Sequence, residues 1–186
     1  GIADIVYIAP LVPEAVERII NGKILNQGQV CLSPDYIFVP KDKLEDFNTR
    51  CMDYLGKLFA SILDNPDYTS VVNARHFQRL QAYLGDARQN GADIREFNPA
   101  NEDFSQQQGA HKIPLTLVIN PGDELLVSKE ELFGPVIVVR SYEKLQDCLD
   151  YVRARPHPLA LYYFGNSKSE QRYVLDNSTS GAVTIN

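Results

Sequence analysis

Residues 4–39 read DIVYIAPLVPEAVERIINGKILNQGQVCLSPDYIFV, and the order of patterns along this stretch decides the fold class. Ile5, Val6, Tyr7 and Ile8 form a short apolar run, which predicts a strand over residues 4–8. Pro13 suits the first turn of a helix, where its fixed φ and missing N–H cost nothing. Val16, Ile19, Ile20 and Ile24 then follow at i, i+3, i+4 and i+8, one apolar stripe along a helix that Gly28 should end. Tyr36, Ile37, Phe38 and Val39 form a second apolar strand between Pro34 and Pro40. Strand, helix and strand in this order, with strands apolar on both faces, predict a parallel sheet covered on both sides.

The alternation continues outward. A helix is expected over residues 41–60, with Leu44, Phe47, Cys51, Leu55 and Leu58 inward, and another from Asn73, a plausible N-cap, through Phe77, Leu80 and Leu84. Ile94 sits in a short strand, and the polar residues 97–113 read as loop. Apolar strands follow at 115–119, 135–139, 159–164 and 182–185. Leu145, Cys148, Leu149 and Val152 mark a helix over 143–155, and Ser167 with Glu170 forms a capping box opening a short helix. The expected class is α/β, three layers with a mostly parallel central sheet.

With 186 residues and 44% hydrophobic content, one domain with a sizeable core is expected. The net charge of −6 gives no basic field for nucleic acid or an anionic membrane. Three cysteines without a CxxC pair argue against a disulfide framework or a zinc site, so a reducing cytoplasm is the default. The chain starts at Gly1 and stops at Asn186, directly after an apolar strand. Domains usually end in polar linkers, so an excised piece of a larger protein is expected.

The cysteines separate by context. Cys51 and Cys148 fall in helical stripes and read as small buried hydrophobes. Cys31 sits in a turn near Gly28, where it is either an inconsequential loop cysteine or a nucleophile beside backbone N–H groups that could hold an oxyanion. The preceding helix C-terminus has a negative dipole end, which disfavours a thiolate there. Glu130 and Glu131 precede Phe133-Gly134-Pro135. They read either as a charged turn, or as carboxylates that accept ribose hydroxyls beside a phenyl ring that packs on a flat base. His76, His111 and His157 are scattered without metal-ligand spacing, and no glycine-rich phosphate cradle is visible.

Asn26-Gln27-Gly28-Gln29-Val30-Cys31 resembles the active-site motif of the aldehyde dehydrogenases, and Glu131-Leu132-Phe133-Gly134-Pro135 resembles their cofactor-contact motif. Ser33-Pro34-Asp35-Tyr36, residues 74–79, residues 158–162 and the closing residues 180–186 are similar to the class 3 branch, and to its bacterial coniferyl aldehyde dehydrogenases in particular. The resemblance implies that the whole chain is a single catalytic domain, with the dinucleotide-binding domain outside it. It implies that Cys31 is the nucleophile and forms a thioester, and that its N–H is one oxyanion donor. Glu131 would bind the nicotinamide ribose, Phe133 would flank the nicotinamide of NAD or NADP, and Gln29 and Gly28 would shape the turn. It further implies an aldehyde substrate, no metal, a homo-oligomeric (dimeric) parent, and a general base and second oxyanion donor upstream of Gly1. Glu14 and Glu17 are not that base. A CoA-acylating relative, a stand-alone cysteine hydrolase and a non-catalytic interaction domain are the alternatives.

Overall fold

The computed structural model describes residues 5–8 and 12–186. In chain order the elements are β1 (Ile5–Ile8), α1 (Val12–Ile24), β2 (Tyr36–Pro40), α2 (Leu44–Leu58), α3 (Ala74–Gln89), β3 (Asp93–Glu96) and β4 (Thr116–Ile119). They continue with α4 (Leu126–Lys129), β5 (Val136–Tyr142), α5 (Leu145–Arg153), β6 (Ala160–Tyr163), α6 (Lys168–Asn177) and β7 (Ala182–Ile185). The strands form one sheet in the order β3-β4-β5-β2-β1-β6-β7. Every neighbouring pair is parallel except β3 with β4. The architecture is therefore the expected mixed α/β fold with a mostly parallel sheet. The start of the first expected strand, Asp4, and the side chain of Glu14 lie outside the described residues.

Strand alternation builds two cores. Ile37, Val39, Leu117, Ile119, Ile137 and Val139 point to one face, against Val16, Ile19 and Ile20 of α1 and Phe47, Cys51 and Leu55 of α2. Tyr36, Phe38, Val118, Val136 and Val138 point to the other, against Leu80 and Leu84 of α3, Cys148, Leu149 and Val152 of α5, and Val174 of α6. Side chains such as Ile19, Ile20 and Ile37 are fully buried, each contributing about 1.5–3 kcal/mol of transfer free energy. The helical stripes of the sequence are thus the inner surfaces of the outer layers, except that Leu58, expected inward, stands exposed in the last turn of α2, beyond the edge of the core.

Local chemistry sets the boundaries. The Asn73 side chain accepts a 3.0 Å hydrogen bond from the His76 N–H, capping α3 as its sequence suggested. Ser167 accepts from the Glu170 N–H at the start of α6. Glu170 does not close the expected box, because its carboxylate accepts the Tyr163 hydroxyl from β6 instead. The polar 97–113 segment is tied down. The Glu102 carboxylate accepts the backbone N–H groups of Ile62 and Leu63 at 2.7 and 2.8 Å, and Lys112 Nζ donates to the carbonyls of Ile62 and Asn65. Among the described residues no helix is long and apolar enough to cross a membrane.

Candidate active site

The helix before Cys31 ends earlier than Gly28. α1 stops at Ile24, and a 3₁₀ turn over Leu25–Gly28 follows in which Asn26 and Gln27 take left-handed φ values of 51° and 50°. Gly28 continues this run at φ 75°. Asparagine tolerates that region, and glycine adopts it freely. The chain is thereby turned out of the helix before it reaches Cys31, so the dipole end at Ile24 is seven residues away in sequence rather than adjacent. A 3.0 Å bond from the Ser33 N–H to the Val30 carbonyl then closes a turn around Cys31 and Leu32. Cys31 is exposed, while Cys51 and Cys148 are buried, as their sequence contexts predicted.

The Glu131 loop meets this turn because of strand pairing. The Cys31 turn leads into β2 and the Glu130–Pro135 segment leads into β5, and β2 and β5 are parallel neighbours with Tyr36 opposite Val138. Two segments entering adjacent parallel strands must lie side by side. Here the approach is close: a Cβ on Gly28 would lie 2.2 Å from the Gly134 carbonyl oxygen and 2.9 Å from Lys23 Cε. One small hollow results, lined by Gly28, Val30, Cys31, Ser33, Asp35, Glu131 and Phe133. All three sequence-predicted site residues, Cys31, Glu131 and Phe133, are on its wall. Phe133 is held at φ 43° and is 38% exposed. Glu131 is half-buried, whereas Glu130 is exposed and does not line the hollow.

Residues to which the sequence assigned no role support these walls. Lys23 is fully buried and donates through Nζ to the Pro34 carbonyl at 2.7 Å. Burial pulls its ammonium down to about 8, and the Asp35 carboxylate opposes that shift. Asp35 in turn accepts the Leu132 N–H at 3.3 Å. Arg79 of α3 donates to the carbonyls of Glu131 and Leu132 at 2.9 and 2.7 Å. Lys23 had a sequence signal: it lies four residues after Ile19 and three after Ile20, on the apolar face of α1. Asp35 had none.

Gln29 does more than shape its own turn. Its Nε2 donates to Asn26 O at 3.0 Å, and also to Ser70 O at 3.0 Å, while its Oε1 accepts the Val72 N–H at 2.8 Å. Among the described residues no histidine or carboxylate is hydrogen-bonded to the Cys31 sulfur. His111 packs tilted against Phe77 with ring centroids 5.4 Å apart, and His76 lies at the start of α3. An exposed cysteine, a carboxylate and a presented ring around one hollow can perform addition to a carbonyl beside a bound planar group.

Residues 7–186 match the family model described as the aldehyde dehydrogenase family. The chain is 47% identical to a probable coniferyl aldehyde dehydrogenase of Caulobacter vibrioides over 172 residues, which are 92% of this chain and 35% of that protein. It is 41% identical to a coniferyl aldehyde dehydrogenase of a Pseudomonas species, covering 93% of this chain and 36% of that one. Among solved structures it superposes on a substrate-bound Staphylococcus aureus AldH with a TM-score of 0.86 and 28% identity, covering all of this chain and 39% of that chain. The chain thus spans about a third of the length of these relatives.

Proposed function

The chain belongs to the aldehyde dehydrogenase family, and on that premise we propose that it is the nucleophile-bearing catalytic domain of an enzyme that oxidises an aldehyde to its carboxylic acid with NAD or NADP. The observation that carries the proposal is the convergence of Cys31, Glu131 and Phe133 on one hollow. The Cys31 thiolate adds to the aldehyde carbon, and the carbonyl electron pair moves to oxygen. Among the described residues the Cys31 N–H has no partner, which leaves it available to that oxyanion. A nicotinamide dinucleotide, when bound, supplies the hydride acceptor. The acyl group then remains on Sγ as a thioester, and water cleaves the C–S bond to release the acid and restore the thiol.

The residues present fit such a dinucleotide. Glu131 offers a half-exposed carboxylate for two ribose hydroxyls, and Phe133 offers a ring face for the nicotinamide. The glycine contact between the two loops leaves no side chain between them. The names of the two relatives support coniferaldehyde as the aldehyde. The short span against those relatives supports a longer parent that contributes the dinucleotide-binding domain, the general base and the second oxyanion donor. The family resemblance supports a homo-oligomeric, dimeric parent in the cytoplasm.

The test is NADH or NADPH production from coniferaldehyde by the protein of the whole reading frame, with each nucleotide in turn. Turnover is expected, and Cys31→Ala should abolish it. The 186-residue chain alone should give none, because cofactor placement and the base are supplied elsewhere. Turnover that survives Cys31→Ala refutes the assignment of the nucleophile. Acyl transfer that appears only when CoA is added would favour the CoA-acylating reading.

A further inference from the structure

Helix α3 and the segment that leads into it are tied to both loops of the site, through Arg79 and Gln29, side chains that line no part of the hollow. At its N-terminal approach, the segment 70–72 is gripped by the Gln29 amide, through Ser70 O and the Val72 N–H. Asn73, the residue after Val72, then caps the helix. One and a half turns further on, Arg79 spans the consecutive carbonyls of Glu131 and Leu132 with the two arms of its guanidinium, stacked over the Tyr83 ring at 5.1 Å. The next residue, Leu80, closes against Gly134, where an added Cβ would meet Leu80 Cδ1 at 2.4 Å. An α-helix is the stiffest local element available, with a fixed rise of about 1.5 Å per residue. A rigid rod gripped at one end by the nucleophile loop and near its middle by the Glu131 loop holds the separation between them.

We propose that α3 is the ruler of the site, and that Gln29 and Arg79 are positioning residues that transmit the placement of each loop to the other. The inference rests on the reading that Cys31 and Glu131 act together, and it assigns a role to the 74–79 motif that the chemistry leaves unused. The hollow's direct loop-to-loop contact sets Gly28 against the Gly134 carbonyl, and among the described residues no hydrogen bond joins the two glycines. The hydrogen bonds that fix direction pass through α3 on one side and through Asp35 on the other. Arginine is required at 79 because its planar fork reaches two adjacent carbonyls, whereas lysine can satisfy one at a time.

The experiment is backbone amide hydrogen exchange on the 186-residue chain, with Gln29→Ala, Arg79→Met, Arg79→Lys and the double variant. A ruler couples the ends. Gln29→Ala should then speed exchange at Leu132 by roughly fivefold or more, and Arg79→Met should do the same at Val72, since coupling is reciprocal. The double variant should show less than the product of the single effects. Arg79→Lys should recover part of the loss at Leu132, and Cys31 alkylation should change its rate in Arg79→Met although Arg79 lines no part of the hollow. Each substitution loosening only its own loop overturns the proposal. So does a uniform rise across the sheet, which marks a merely structural role. If Arg79→Met does not fold, Gln29→Ala read at Leu132 decides alone. None of these readouts involves turnover, so failed aldehyde oxidation by the whole protein would count against the proposed function and leave the ruler standing.

Discussion

Gly28→Ala is the sharpest perturbation of this architecture. The new Cβ would sit 2.2 Å from the Gly134 oxygen and 2.8 Å from the Gly134 carbonyl carbon. Both are backbone atoms of a segment entering β5, so no side-chain rotation relieves the clash. Ordinary contact requires about 3.4 Å, which means the two loops must part by about 1 Å. Two costs add. An alanine at φ 75° carries the left-handed penalty of about 1–2 kcal/mol. Forcing an extra methyl into a packed contact adds about 1–3 kcal/mol. A total loss of roughly 2–5 kcal/mol corresponds to a melting temperature lower by roughly 5–15 °C for a chain of this size. Gly85→Ala is the matched control: Gly85 lies within α3, and nothing stands within 4 Å of an added Cβ. That change should stabilise by about 0.5–1 kcal/mol through helix propensity. Urea titration of both variants reads the two free energies. If Gly28→Ala falls within about 0.5 kcal/mol of the parent, the two loops are not in contact as described and the hollow is not a built feature.

Further outcomes are expected from single sites. Native alkylation followed by mass spectrometry should mark Cys31 first, because burial pushes the thiols of Cys51 and Cys148 up and shields them; earlier labelling of either would count against the site. Lys23 releases its proton near pH 8 when folded and near 10.5 when unfolded. Between those values the unfolded chain binds more protons, so its contribution to stability rises with pH. The urea midpoint of Lys23→Met should lack that rise, and parallel curves for the variant and the parent would show that Lys23 does not titrate there. Glu102→Ala removes the acceptor of two backbone N–H groups, one of them at the fully buried Ile62. A loss of roughly 2–4 kcal/mol in urea unfolding is expected; a loss below about 0.5 kcal/mol would mean that the 97–113 loop is not anchored there.

The sequence by itself determined the class of fold and which of the three cysteines is exposed. Period and polarity are local properties. The stripe of Val16, Ile19 and Ile20 and the run Tyr36 to Val39 could form only a buried helix face and a strand covered on both sides. Cys31 stood apart from Cys51 and Cys148 because it lay off every such stripe. The motifs around Cys31 and Glu131 named the two halves of the site, but nothing in either says that they touch. That was decided by sheet order, which places β2 beside β5 across about a hundred residues of chain. Local patterns contain no term for which strand pairs with which. The tertiary structure also decided where α1 ends. The left-handed residues Asn26 and Gln27 stop it at Ile24, so that Gly28 can reach Gly134. It alone set the supporting contacts of Lys23, Asp35, Gln29 and Arg79, since a buried ammonium or a forked guanidinium finds its acceptors among carbonyls brought near only by folding.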